Sequence, residues 1–293
     1  MPRAHRPDRA IAAIALTGVI LLAFNLRVAL TAIPPIVDAI SVDVPLDATT
    51  LGMLGSMPAA CFAVFGAGAG LVVDRIGLEW TAAAVLGVSA VGHILRGLAL
   101  GAPMMLVATG IVWAACGVGN VVITGLIKRY FPRRINVLTA TTGFLFSIGT
   151  AGIALVVPAM AQGVGWRVAL GSWAVVAVAS AMPWIALARW SNPDDHSGIE
   201  VVEPEPRALQ RAWRSPLARA LAVVFAYGAF AVYVYFTWLP KMLIDLVGLP
   251  QEQAGLVLAV YGITGVVING VIIALGARPA WEIPIMVAGI VCY

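Results

Sequence analysis

The first residue that suggests chemistry is Arg27, a charged side chain inside the apolar stretch 11–35. A guanidinium stays protonated and presents a planar set of donors, so it can hold a small anion through charge-assisted hydrogen bonds. Thr31 is four residues further on and shares the Arg27 face of a helix. Asn25 lies about 200° away around the helix, so we expect it to bond a neighbouring helix. A second interpretation of Arg27 is that its side chain extends to the lipid headgroups.

A second candidate, Asn120, lies in the apolar stretch 104–127. One helix face there carries, at spacings of four, three and four residues, Trp113, Gly117, Asn120 and Thr124. Gly117 would leave room beside Asn120, whose amide can both donate and accept hydrogen bonds to a solute. The alternative for Asn120 is a hydrogen bond that joins two membrane helices.

Aromatic residues and a histidine complete the candidates. Tyr233 shares a helical stripe with Phe230 and Thr237, and Trp238 follows at the predicted membrane boundary. Trp238 fits a lid over a site, and it equally fits the aromatic belt of the membrane interface. His93 is a candidate proton carrier, although a packed and hydrogen-bonded histidine is the default interpretation.

These residues need membrane helices to position them, and the composition indicates such helices. The chain has 293 residues, of which 61% are hydrophobic and 11% are charged, against about 45–50% and about 25% in soluble domains. So few charges cannot cover a soluble surface. The composition excludes a soluble enzyme, a nucleic-acid-binding module and a disordered scaffold. It predicts an all-α protein of the lipid bilayer with no nucleic-acid partner.

Eight apolar runs are long enough for membrane helices, which need ~20 residues. They are 11–35, 49–73, 79–98, 104–127, 136–161, 166–188, 217–240 and 253–276. A ninth run starts near Trp281 and leaves about 13 residues before Tyr293, too few to cross a ~30 Å core. We therefore expect eight complete helices and part of a ninth, with the chain ending inside a helix.

The distribution of Lys and Arg predicts the orientation in the membrane. With the N-terminus inside the cell, the inside segments hold 14 of the 18 basic residues and Arg27 lies in the membrane. The outside segments then hold three, which are Arg96, Arg167 and Lys241. Because basic residues accumulate on the cytoplasmic side, we predict a multi-pass protein of a bacterial-type plasma membrane with a cytoplasmic N-terminus.

The first two predicted helices and the seventh and eighth show a weak internal repeat. Thr31 recurs as Thr237 and Arg75 recurs as Arg278, at offsets of 206 and 203. Parallel repeats around a linker are typical of transporters whose site lies between two halves. A complete second half would bring the protein to twelve helices. The predicted units are a six-helix half, a polar cytoplasmic linker and an incomplete second half, at 1–188, 189–216 and 217–293.

The loop after the second predicted helix carries a recognisable motif. It reads Gly70-Leu-Val-Val-Asp74-Arg75-Ile-Gly77, and it resembles the cytoplasmic loop motif of the major facilitator superfamily. The resemblance implies a fold of two six-helix halves, with this loop as part of an inner gate. Gly77 permits a tight turn there. Glu79 stands where a basic run usually follows, so we expect a different charge network at this point.

Other stretches resemble the cyanate and 2-nitroimidazole transporter family. They are Asn25-Leu26-Arg27, Gly117-Val-Gly119-Asn120, Ile127-Lys-Arg-Tyr-Phe-Pro132, Gly165-Trp-Arg167 and Trp238-Leu-Pro240. The resemblance implies a secondary active transporter that moves a small polar or anionic solute by alternating access. It favours the anion-holding role of Arg27. The further candidate solute contacts are Thr31, Asn120, Tyr233 and Trp238.

Cofactors, partners and coupling complete the predictions. We expect no metal site, because the cysteines at 61, 116 and 292 match no metal-binding spacing. We also expect a monomer without a cofactor. Proton coupling would use His93 or helices beyond Tyr293, and uniport or exchange is the alternative. Two further hypotheses stay open: a truncated, inactive remnant of a transporter, and an integral-membrane enzyme, for which the sequence offers no catalytic cluster.

Overall fold

The computed structural model describes residues 9–190 and 214–250, with seven single positions between 253 and 267. All regular secondary structure in these ranges is helical. A short 3-10 helix, Pro34–Ile36, separates the first two α-helices. The α-helices of the described part are α1 Arg9–Thr31, α2 Val37–Asp43, α3 Ala48–Ala67, α4 Ala69–Ile76, α5 Leu78–Gly97, α6 Ala102–Tyr130, α7 Ile135–Val164, α8 Trp166–Gly171, α9 Trp173–Trp190 and α10 Pro216–Val247.

The predicted all-α membrane architecture is confirmed. Six helical segments of the described ranges are long and apolar enough to cross a membrane, with α8 and α9 together forming the sixth. They coincide with the first six predicted runs, and the 32 residues of α10 cover the seventh. The eighth run and the start of the ninth lie outside the described residues, apart from single positions, as does most of the linker. The count of eight helices and part of a ninth therefore stays a prediction.

The first helix ends at Thr31, four residues earlier than predicted. Its last backbone hydrogen bond runs from the Ala32 N–H to the Val28 carbonyl oxygen, at 3.2 Å. Pro34 and the proline after it have no N–H to donate. Regular bonding therefore stops, and the chain continues through the 3-10 helix into α2.

A single glycine joins α4 to α5. The Gly77 N–H donates to the Val73 carbonyl oxygen at 2.7 Å, and the Gly77 carbonyl oxygen accepts from the Thr81 N–H at 3.0 Å. Gly77 has φ 81° and ψ 166°, a conformation almost restricted to glycine. Gly165 repeats this arrangement between α7 and α8, with φ 85° and ψ 153°. The tight turn predicted at Gly77 is confirmed.

The helices run back and forth between two ends of a bundle. We call the end at which α1 begins the near end; there α4 joins α5, and α6 leads into α7. The opposite end, where α1 ends and α5 leads into α6, is the far end. The core lies between α1, α5, α6 and α9, and its buried residues include Leu22, Leu86, Leu126 and Trp184. The Trp184 ring fills the space above Gly18, where a Cβ would lie 2.7 Å from a ring atom.

Candidate functional site

Arg27 reaches sideways from α1 to α7. Its Nε donates to the Thr150 hydroxyl at 2.6 Å and to the Phe146 carbonyl oxygen at 3.2 Å. Its guanidinium carbon lies 5.5 Å from the centre of the Phe146 ring, within the range of a cation–π contact. Gly149 faces the Arg27 stem, and a Cβ at that position would lie 3.4 Å from the Arg27 Cβ. The charge is therefore held, half-buried, between two membrane helices.

The depth of Arg27 bears on its two interpretations. Phe146 and Thr150 flank the middle of α7, which runs from Ile135 to Val164. A side chain that extended to the headgroups would run along α1 towards the far end, whereas the Nε contacts are lateral. This geometry supports the anion-holding interpretation, which stays a proposal.

Thr31 and Asn25 use their side chains in different ways. The Thr31 hydroxyl donates to the Arg27 carbonyl oxygen at 2.9 Å, and the Thr31 side chain is buried. The Thr31 hydroxyl therefore bonds the backbone of Arg27 and not its side chain. The Asn25 amide donates to the Ser180 hydroxyl on α9 at 2.7 Å. The prediction that Asn25 bonds a neighbouring helix is confirmed.

Asn120 is half-buried on α6, and its amide donates to the Cys116 carbonyl oxygen of the same helix at 3.0 Å. Within the described residues, Asn120 makes no hydrogen bond to another helix. Gly117, which we expected to leave room beside Asn120, packs on α3. A Cβ at Gly117 would lie 2.9 Å from the Cys61 carbonyl oxygen. Thr124 is exposed, so the predicted face spans several environments.

Tyr233 and Trp238 lie on α10, as the sequence predicts. Their side chains are outside the described part of the structure. Their proposed contacts with a solute therefore stay predictions.

Arg96 is the polar residue whose environment sequence reasoning missed. The Lys/Arg count assigns it to the outside segments, and the structure shows it in the last turn of α5 with a fully buried side chain. Its Nη1 donates to the Ala29 carbonyl oxygen and its Nε to the Thr109 hydroxyl, both at 3.2 Å. The Trp113 Nε1 donates to the same Ala29 oxygen at 3.0 Å. The available signal was its i, i+3 spacing from His93, which places two polar residues on one face of an apolar helix.

His93 is also fully buried, and neither ring nitrogen has a hydrogen-bond partner among the described residues. The expected hydrogen-bonded histidine is therefore not observed. Cys61 and Cys116 are buried free thiols. Across the described ranges, no group of three His, Cys, Asp or Glu side chains is placed to hold a metal ion.

The far end carries a polar clasp and a cavity. Asp43 accepts a hydrogen bond from Trp166 at 2.9 Å and lies 3.7 Å from the Arg167 guanidinium. Arg167 also donates to the Ala99 carbonyl oxygen at 2.6 Å, so the clasp joins α2, α8 and the α5–α6 connection. A cavity of about 920 Å³ lies here beside α2 and α7. Its lining includes Asp38, Pro158, Gln162 and Pro250.

This helical, membrane-spanning chain is similar to known transporters in sequence. The family model described as the Major Facilitator Superfamily matches residues 15–293. The chain belongs to the Major Facilitator Superfamily. The 2-nitroimidazole transporter of Escherichia coli (strain K12) is 31% identical over 244 residues, which cover 82% of this chain and 60% of the relative. The uncharacterized transporter YycB of Bacillus subtilis (strain 168) is 24% identical over 231 residues, 78% of this chain and 55% of the relative.

Solved superfamily structures show the same fold. The crystal structure of a D-xylose–proton symporter matches with a TM-score of 0.55 and 16% identity, over 88% of this chain and 66% of that chain. A partially occluded, inward-open xylose transporter XylE from E. coli matches with a TM-score of 0.56 and 15% identity, over 88% and 70%. At these identities the likeness establishes the fold alone. The chain spans somewhat more than half the length of its curated relatives.

The superfamily loop motif lies at the near end. Gly70, Asp74 and Arg75 belong to α4, and the side chains of Asp74 and Arg75 are exposed.

Glu79, the residue that departs from the usual loop motif, is buried at the start of α5. It lies 3.3 Å from the Arg129 Nε and accepts a hydrogen bond from the Tyr130 hydroxyl at 2.8 Å. An acidic residue in place of a basic run thus ties α5 to the end of α6.

Proposed function

We propose that this chain is part of a secondary transporter that moves a small polar or anionic solute across the plasma membrane by alternating access. The superfamily assignment supports this, as do two curated relatives that are transporters by name. The solute class rests on one observation: the Arg27 charge is held half-buried at the level of the middle of α7. Charged groups at such depth are costly and mark solute or ion pathways.

The contacts of Arg27 suit it to solute recognition. The two bonds from its Nε to α7 orient the plane of the guanidinium. A planar donor set of fixed orientation matches a small planar or anionic solute better than a mobile point charge does. The further contacts that we propose, on the first, fourth and seventh membrane helices, are Thr31, Asn120, Tyr233 and Trp238.

The near end is proposed to face the cytoplasm, because most Lys and Arg residues lie in the segments on that side. The inner gate would then include Gly70, Asp74, Arg75 and Gly77. We propose a monomer in the bilayer. Proton coupling is a further proposal, and His93 is the buried titratable residue that it would use.

Substitution of Arg27 tests this function. Arg27→Ala should weaken binding of cyanate, an anionic probe, by about ten- to a hundredfold, because a desolvated charge-assisted contact contributes about 1.5–3 kcal/mol. Arg27→Lys should restore binding only in part, since it keeps the charge and loses the planar donor set. The measurement is equilibrium binding to the purified full-length protein, normalised to folded protein, with 2-nitroimidazole as a second probe.

Arg167→Ala is the matched control, because it removes the same side chain at the far end. It should leave cyanate affinity unchanged. Wild-type affinity in Arg27→Ala would remove Arg27 from the site. A nearly silent Arg27→Lys, together with a lower yield of Arg27→Ala, would instead favour a headgroup role.

The two competing hypotheses receive less support. An inactive remnant is not favoured by the relatives, which are transporters by name. The family and fold are those of transporters, which argues against an integral-membrane enzyme.

A further inference from the structure

Arg96 is an unusual charge for its position. Its side chain is fully buried in the last turn of α5. Among the described residues it forms no ion pair with a carboxylate, and its Nη2 has no hydrogen-bond partner. A buried charge without a counter-charge is costly. Its presence therefore calls for a role that an apolar side chain could not fill.

The group that Arg96 contacts is a buried backbone oxygen in the last turn of α1. The last backbone bond of α1 ends on Val28, so the Ala29 carbonyl oxygen is the first of the last turn without a backbone partner. Two side chains satisfy it instead, Arg96 from α5 at 3.2 Å and Trp113 from α6 at 3.0 Å. The last turn of α1 is thus held by side-chain donors of two other helices.

The same segment of α1 carries Arg27, two residues before Ala29. On one side, Arg96 and Trp113 hold the Ala29 oxygen. On the other side, the Arg27 Nε bonds to Thr150 and Phe146 of α7. We infer that Arg96 is a positioning residue, which acts through the Ala29 carbonyl to fix where α1 presents the Arg27 guanidinium. This inference rests on the proposed solute-binding role of Arg27.

Close packing keeps Arg96 itself in place. Gly92, one turn earlier on α5, packs directly on the Val112 side chain of α6. Gly97, the next residue, lies against α8, where a Cβ would be 2.7 Å from the Arg167 carbonyl oxygen. The Arg96 backbone is therefore fixed on both sides, and its Nε is held by Thr109. A rigid support of this kind can define the position of a neighbouring helix end.

The test is epistasis between Arg96 and Arg27, measured as equilibrium binding of cyanate per folded full-length protein. Arg96→Met should weaken binding about five- to twentyfold, less than Arg27→Ala does, because it displaces the Arg27 charge without removing it. Arg96→Lys should fall between Arg96→Met and the wild type. In an Arg27→Ala background, Arg96→Met should cause no further loss, because its effect passes through Arg27.

Two further variants serve as controls. Trp113→Phe keeps an aromatic ring and removes one donor to the Ala29 oxygen, so it should weaken binding by less than Arg96→Met does. Arg167→Met removes another arginine that donates to a backbone oxygen away from α1, and it should leave affinity unchanged.

The outcomes separate this inference from the proposed function. Wild-type affinity in Arg96→Met, with binding lost in Arg27→Ala, would overturn the positioning role alone. An equal loss from Arg96→Met in both backgrounds would also overturn it, since Arg96 would then act independently of Arg27. Wild-type affinity in Arg27→Ala would overturn the proposed function. If Arg96→Met does not fold, Arg96→Lys and Trp113→Phe carry the same comparison.

Discussion

Gly117 gives the sharpest test of how the helices pack. It lies where α6 meets α3, and a Cβ there would be 2.9 Å from the Cys61 carbonyl oxygen and 3.3 Å from the Phe62 Cα. On the other helix, Gly66 faces the Gly117 carbonyl oxygen, 3.5 Å from its own ideal Cβ position. Small residues at such a crossing let two backbones approach closely. Gly117→Ala should therefore force the two helices apart.

The size of the effect follows from these distances. An ordinary contact begins near 3.4 Å, so the 2.9 Å approach requires the two backbones to separate by about half an ångström. The obstructing atoms belong to the backbone, so no side-chain rotation relieves the contact. Overpacking of this kind costs about 1–3 kcal/mol, while alanine gains up to about 1 kcal/mol of helix propensity over glycine. We expect Gly117→Ala to lose up to about 2 kcal/mol of unfolding free energy.

Gly87→Ala is the matched control. Gly87 lies inside α5, and a Cβ there would meet nothing within 4 Å. It should therefore show the propensity gain alone. The free energy of unfolding of each purified variant, measured by denaturant titration in detergent with circular dichroism, gives the packing cost as the difference between the two. If Gly117→Ala were as stable as Gly87→Ala, the close α3–α6 contact would be refuted.

Two further predictions concern the near end. Glu79→Gln should lower the unfolding free energy by about 1–3 kcal/mol, because the amide still accepts from Tyr130 and loses the ionic contact with Arg129; the same titration measures this, and unchanged stability would contradict it. Asp74→Asn should slow transport more than it weakens binding, because Asp74 is exposed at the near end and far from Arg27. Uptake into proteoliposomes beside equilibrium binding separates the two, and a large loss of binding with normal conformational cycling would count against a gate.

The helical architecture was predictable because the bilayer restricts what can cross it. A spanning segment must satisfy its own backbone groups, so long apolar runs become helices. Six predicted runs therefore match helical segments of the described ranges. The bond from Asn25 to a neighbouring helix was also predictable, because helix geometry fixes the angle between Asn25 and Arg27, two residues apart.

The environment of each polar side chain was less predictable. Arg96 lies one residue before the end of α5, and a count of basic residues cannot tell a loop charge from one enclosed by α1 and α6. Gly117 illustrates the same limit, because a glycine marks a cavity or a close contact depending on the partner helix. Both depend on pairings between distant segments, which periodicity in one helix does not contain.

The single-glycine junctions have a kinematic consequence. Because Gly77 closes α4 and opens α5 with its own N–H and carbonyl, the connection contains no residue that is free of both helices. Gly165 joins α7 to α8 in the same way. Because consecutive Cα atoms are a fixed distance apart, a shift of the end of one helix must displace the start of the next by a similar distance.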